Sequence, residues 1–309
     1  MSLDRLIEGI IKTKNPTVAG LDAKLEYIPE FIKEKNFAEY SYTLEGAAAS
    51  MLEFNKGLID ALCDIVPAIK PQCAYYELLG WQGMKTLAET IEYAHSKGMY
   101  VITDGKRNDI GSTMEAYASG HLGKIMVGDK EVAPFDGDAL TVNGYLGTDT
   151  IAPLLDVCNK YDKGIFVLVK TSNPSSGELQ DKLLKEEDTT IYHHMGTMCS
   201  QWGESLQGKY GYTGIGAVVG ATYPKQLTEL RAAFPKIFFL VPGYGAQGAG
   251  GQDIAGAFDD KGLGAIVNAS RSIMCAYKKN NYDEKDFAEA ARAEAIRMRD
   301  DITQYLPKF

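Results

Sequence analysis

Residues 101–113 read VITDGKRNDIGST. Two carboxylates, Asp104 and Asp109, bracket one ammonium, Lys106, directly after the apolar Val101 and Ile102. Side chains on a strand repeat every two residues, so Asp104 and Lys106 would share one face at the strand's C-terminal end. Such a cluster can hold, repel and move charge. A lysine flanked by carboxylates stays protonated and is a proton donor held in place. Taken alone, D-x-K-x-x-D is more readily a surface ion pair of little energetic value, so its weight depends on the rest of the chain.

A second chemistry-bearing stretch lies near the C-terminus. Residues 242–251 read PGYGAQGAGG, a flexible loop rich in exposed backbone N–H groups that can wrap an anion. The next apolar run ends at Asn268, and Ser270 and Arg271 follow. Arg offers a planar fork suited to a phosphate group. Loop and arginine at adjacent strand ends favour phosphate binding over a solvated linker.

Both stretches need a scaffold that brings strand ends together. The spacing predicts eight strands, at 17–21, 66–70, 100–104, 139–143, 165–170, 217–220, 237–242 and 265–268. Helices are expected between them. The clearest covers 46–62, where Ala47, Met51, Phe54, Leu58 and Leu62 recur every three or four residues. Others fit 83–97, with Gly98 as a C-terminal stop, and 149–159, 188–206, 223–233 and 284–304. Eight strand–helix alternations read as an α/β chain forming a single-domain (β/α)8 TIM barrel. A doubly wound open sheet fits less well, because the first strand ends in Gly20-Leu21-Asp22 rather than a G-x-G-x-x-G turn. Residues 24–43 are expected to form a polar insertion.

A barrel places its site at the C-terminal strand ends, where polar residues should therefore collect. The expected ends carry Asp22, Lys70, Asp104 with Lys106, Asn143, Lys170 to Ser172, Pro242 and its loop, and Asn268 to Arg271.

Composition narrows the partners. The 309 residues are 45% hydrophobic and 24% charged, enough for a large core, and the net charge of −9 argues against a nucleic-acid partner. The N-terminal segment lacks the apolar run of a signal peptide, and no stretch approaches the roughly 20 apolar residues of a membrane span. Five scattered cysteines without CxxC spacing read as reduced packing residues of a cytoplasmic protein. The four histidines make no metal pattern, and adjacent His193 and His194 are expected to serve a surface role.

Eight segments together resemble the orotidine 5′-phosphate decarboxylase family, in its longer monofunctional bacterial-type branch. They are GLD (20–22), IKPQ (69–72), DGKRNDIGST (104–113), TVNGYLGTD (141–149), VKTSNPSSGELQ (169–180), VVGATYP (218–224), PGYGAQG (242–248) and VNASRSI (267–273). The resemblance implies a (β/α)8 barrel, usually a homodimer, that converts orotidine 5′-phosphate to uridine 5′-phosphate and CO2 as the last step of UMP synthesis. It implies no metal and no organic cofactor. By position, Lys70, Asp104, Lys106 and Asp109 are similar to the family's charged tetrad, with Asp109 reaching the neighbouring subunit's site and Ile110 and Thr113 following it. Asp22 and Lys70 resemble the ribose contacts, and Ser172 the pyrimidine-reading serine. Pro242, Gln247 and Arg271 resemble the closing loop and phosphate grip. Two residues depart from the pattern: Tyr244, where an aliphatic side chain is usual, and Ser270, where shorter members have glycine. The rival is a magnesium-dependent sugar-phosphate decarboxylase or aldolase of the related barrel group. TSNPSSGELQ and Lys70 suit a pyrimidine nucleotide better.

Overall fold

A computed structural model describes residues 2–185, 187–245, 248–279 and 282–307. Eight parallel strands close into one barrel. They are β1 (Thr17–Leu21), β2 (Ala68–Pro71), β3 (Tyr100–Arg107), β4 (Ala139–Val142), β5 (Gly164–Lys170), β6 (Ile215–Val219), β7 (Phe238–Val241) and β8 (Ala265–Ala269). Each pairs with the next in sequence, and β8 pairs with β1 through Thr17–Val267, Val18–Asn268 and Ala19–Ala269. The (β/α)8 expectation therefore holds, and the strand bounds move by up to three residues.

Two-residue periodicity sorts each strand into two cores. Val18, Ala68, Ile102, Ala139, Phe166, Val218, Leu240 and Ile266 point inward and fill the barrel. Their neighbours Ala19, Ile69, Val101, Leu140, Val167, Val219, Val241 and Val267 point outward into the layer shared with the helices. Carried one step further, the inward register takes Ala68 to Lys70 and Ile102 to Asp104. Ala139 leads in the same way to Thr141, Leu240 to Pro242 and Ile266 to Asn268. An apolar strand interior thus delivers its last inward residue to the mouth, and in four of these five strands that residue is polar.

The other end of the barrel is plugged. Helix Ser2–Thr13 buries Leu3, Leu6, Ile7 and Ile10 against the inward residues, and Ser2 Oγ meets Tyr100 Oη at 2.7 Å. The outer helices include Leu44–Leu62, Gly80–Ser96, Thr148–Tyr161, Ile191–Gly203, Pro224–Ala233 and Phe287–Thr303. Gly98, at φ +75°, ends the second of these as expected.

The 24–43 segment is not merely polar. It contains helix Glu30–Tyr40, which buries Ile32, follows the buried Ile28, and ties Asn36 Nδ2 to Glu53 Oε2 at 2.9 Å on Leu44–Leu62. Its charged face hid the two isoleucines that seat it. Sequence spacing also gave no sign of helix Gly111–His121 or of the short hairpin Ile125–Val127/Lys130–Val132.

Candidate active site

At the C-terminal mouth lies a cavity of about 760 Å³, within the range that small-molecule sites occupy. Asp22, Lys70, Asp104, Lys106, Ser172, Pro242 and Arg271 all line it, as their positions at strand ends required.

Asp104 is the hub. Its side chain is nearly buried, and each oxygen accepts two hydrogen bonds. Oδ2 receives Lys70 Nζ at 2.6 Å and Gln72 Nε2 at 3.0 Å; Oδ1 receives Lys106 Nζ at 2.6 Å and Thr141 Oγ1 at 2.7 Å. Burial pushes the carboxyl up, but Lys70 and Lys106 more than reverse this and hold it well below the usual carboxylate range. Burial likewise pulls the Lys70 ammonium down, and Asp104 and Asp22 outweigh it, so Lys70 stays above its ordinary value. Asp22 Oδ1 stands 3.8 Å from Lys70 Nζ and has no hydrogen-bond partner although it is buried. About a quarter of the Asp22 side chain is accessible, and it lines the cavity beside Lys70.

The strand does not run straight through this cluster. Thr103 pairs with Leu140 and Arg107 with Val142, so Asp104, Gly105 and Lys106 face Thr141 alone. Lys106 adopts φ +49°, a conformation that a side-chain-bearing residue enters at a cost of about 1 kcal/mol or more. The widened strand swings the lysine stem over the cavity, where 45% of its side chain is accessible. Lys70 is locked into the wall, whereas Lys106 reaches the open space.

Two close backbone approaches shape the rest of the mouth. A Cβ on Gly220 would stand 2.8 Å from Ser172 Cα, so only glycine lets the Ser172 segment settle against β6. A Cβ on Gly20 would overlap Ser270 Oγ, which instead takes a 3.3 Å bond from Asn268 Nδ2. Ser270 thus fills the space beside β1. Tyr244 is buried, and its hydroxyl donates to Asp301 Oδ2 at 2.7 Å, an oxygen that also accepts from Gly251 N at 2.9 Å. Asp301 of helix Phe287–Thr303 thus fastens both ends of the glycine-rich segment, through Tyr244 at one and Gly251 at the other. Gln247 lies outside the described residues.

Other expected residues are elsewhere. Asp109, Ile110 and Thr113 do not line this chain's cavity. Asp109 Oδ1 accepts from Ile110 N at 2.8 Å, and Ile110 is 63% exposed. Asn143 caps a turn through Tyr145 N at 3.0 Å. Lys170 is wholly buried and turns away, donating to Asp181 Oδ1 at 2.6 Å and Ser176 Oγ at 3.1 Å, with the Tyr223 ring 4.5 Å from its ammonium. Its polarity serves the 171–190 excursion that carries Ser172. Asp181→Ala would strand that ammonium in the interior and should cost about 2 to 3 kcal/mol, the exposure of Asp181 keeping the loss at the lower end. Lys170→Met should cost far less, because it removes the charge with its burden of burial. Urea denaturation of the two variants compares them, and equal losses would contradict this account.

No histidine reaches the cavity. His95 bonds Asp138 at 2.9 Å, His194 bonds Glu187 at 2.7 Å, His193 packs on Phe234, and burial lowers His121 to about 4. The surface role expected for His193 is therefore half right: its ring is partly covered by Phe234. Sequence reasoning missed Thr141 and Gln72, which hold Asp104. Gln72 was visible within IKPQ, and Thr141 as the one hydroxyl in the apolar run of β4.

The model of the orotidine 5′-phosphate decarboxylase / HUMPS family matches residues 50–284. An orotidine 5′-phosphate decarboxylase of Rhodopirellula baltica is 43% identical over 302 residues, covering 96% of this chain and 97% of that protein. One from Clostridium perfringens (strain ATCC 13124) is 40% identical over the full length of both. Among solved structures, the OMP decarboxylase of Leishmania donovani superposes with a TM-score of 0.75 at 28% identity, covering 98% of each chain. With a barrel mouth of this construction and relatives aligned end to end, the chain belongs to the orotidine 5′-phosphate decarboxylase / HUMPS family.

Proposed function

We propose that this protein is a carbon–carbon lyase that decarboxylates orotidine 5′-phosphate to uridine 5′-phosphate and CO2, completing UMP synthesis. The Lys70–Asp104–Lys106 chain of 2.6 Å contacts on the cavity floor carries the reading. Loss of CO2 breaks the bond from C6 to the carboxylate and leaves the electron pair on C6. That carbanion gains little from delocalisation, so catalysis must supply on the order of 20 kcal/mol, mainly by positioning and electrostatics. Lys106 stabilises the developing charge and gives its proton to C6, and Asp104 keeps it charged and in place.

Asp22 accepts a ribose hydroxyl beside Lys70, a reading supported by its partly accessible place in the cavity lining. Ser172 meets the pyrimidine amide edge. Pro242 and Gln247 belong to the closing loop, which with Arg271 grips the phosphate, whose remote binding energy helps assemble the site. Asp109, with Ile110 and Thr113, acts in the neighbouring subunit of a homodimer, a reading supported by their place outside the lining of this chain's own cavity and by the exposure of Ile110. Cytoplasmic residence fits five cysteines that are all free. Nothing in the acidic composition calls for a nucleic-acid partner.

The magnesium-dependent alternative would need open oxygen ligands on a carboxylate such as Asp104. All four acceptor positions of that group are taken by Lys70, Gln72, Lys106 and Thr141. The deciding experiment follows the ultraviolet absorbance of orotidine 5′-phosphate with purified protein in EDTA. Steady loss of substrate absorbance supports the reading, and none from folded protein rejects it. In the same assay Arg271→Ala should raise KM strongly and lower kcat/KM by about 10²- to 10³-fold, as lost charge-assisted phosphate bonds require. Unchanged kinetics would remove Arg271 from the phosphate grip.

A further inference from the structure

We infer that Thr141, almost wholly buried in the wall of the cavity, is a positioning residue that sets the reactive geometry of Lys106 and Asp104; this rests on the decarboxylase reading above. Its environment is unusual for β4. The strand reads Ala139, Leu140, Thr141 and Val142, all buried, and a hydroxyl there is costly unless its bonds are made. Thr141 makes two. Its oxygen accepts from Lys106 N at 3.0 Å and its proton goes to Asp104 Oδ1 at 2.7 Å. The directions are forced, because a backbone N–H can only donate and an ionised carboxylate can only accept.

Both partners belong to the widened part of β3. Asp104, Gly105 and Lys106 have Thr141 as their sole counterpart on β4, so the ordinary ladder is missing where the chemistry sits. Thr141 replaces it with a side-chain bridge. One end holds the backbone of Lys106, whose φ of +49° needs an outside restraint to persist. The other end fixes which Asp104 oxygen faces Lys106 Nζ. The β-branched side chain is stiff about χ1, so the hydroxyl keeps its place without help from substrate.

Thr141→Val preserves shape and removes both bonds. It should lower kcat about 10- to 100-fold, as losing hydrogen bonds to charged groups requires, with KM and the affinity for uridine 5′-phosphate within about 3-fold. Thr141→Ser retains the hydroxyl and should stay within about 3-fold of wild type in every measure. Should the Val variant not fold, Thr141→Cys, close in size with a weak donor, replaces it and must show the same fall in kcat at constant KM. Wild-type kcat in the Val or Cys variant, a Ser variant as impaired as Val, or parallel losses in kcat, KM and product affinity would each overturn the inference. A wild type that leaves orotidine 5′-phosphate intact overturns the reaction itself, and the inference with it.

Discussion

Lys106→Ala should fold normally and lose at least about 10⁴-fold in kcat on orotidine 5′-phosphate, because proton donor and charge stabiliser disappear together. The structure separates these effects from stability. Nearly half of the Lys106 side chain is accessible, and Asp104 keeps Lys70, Gln72 and Thr141 when it is removed. Asp109→Ala should be nearly as inactive for a different reason, since the proposed role of Asp109 lies in the partner's site. Mixing the two dead variants then has a defined outcome. In a heterodimer one site receives both lesions and the other receives neither. Random reassembly of equal amounts should therefore return about a quarter of wild-type activity. Verified heterodimers with no activity would refute the shared site, and Lys106→Ala with wild-type turnover would refute the assigned proton donor.

The sequence announced this centre through pattern rather than contact. Lys70, Asp104 and Asn268 each end an inward-facing series of apolar residues, so two-residue alternation alone placed them at one mouth. The same logic misassigned Lys170. It too ends a strand, but it turns to Asp181 and Tyr223, partners contributed by the long excursion and the β6 side of the barrel. Asn143 shows the same limit on a smaller scale, having been drawn into a turn.

Strand widening explains what could not be read. Asp104 and Lys106 do converge, as alternation required, but β3 widens between them and gives Lys106 a left-handed backbone. Nothing in D-x-K specifies that distortion. It depends on how β3 registers against β4, which only the closed barrel decides. Thr141 was hidden for the same reason: its importance comes from lying opposite the widened segment. Helix Glu30–Tyr40 illustrates the converse, since a charged stretch docks through fully buried Ile28 and Ile32 and half-covered Phe31 and Phe37, whose spacing among charges makes no visible period.

Asp104→Asn tests the hub in a way that no sequence pattern could suggest. An amide offers one oxygen and one NH2, whereas both Asp104 oxygens face two donors each. If the NH2 turns one way it opposes Lys70 and Gln72; turned the other way it opposes Lys106 and Thr141. The substitution also leaves Lys70, with only 4% of its side chain accessible, with Asp22 at 3.8 Å as its remaining counter-charge. Breaking a buried pair from one side should cost about 3 to 5 kcal/mol at neutral pH, alongside a large fall in kcat. The acid dependence supplies an independent check. The Asp104 carboxyl is held below its unfolded value near 4, so its stabilisation is complete above that value and is lost as pH falls toward the folded one. The stability gap between wild type and Asp104→Asn should therefore narrow as pH drops below about 4. Denaturant titrations at pH 7 and pH 3 measure it, and a gap of the same size at both would mean that the ionised carboxylate is not what holds the two lysines.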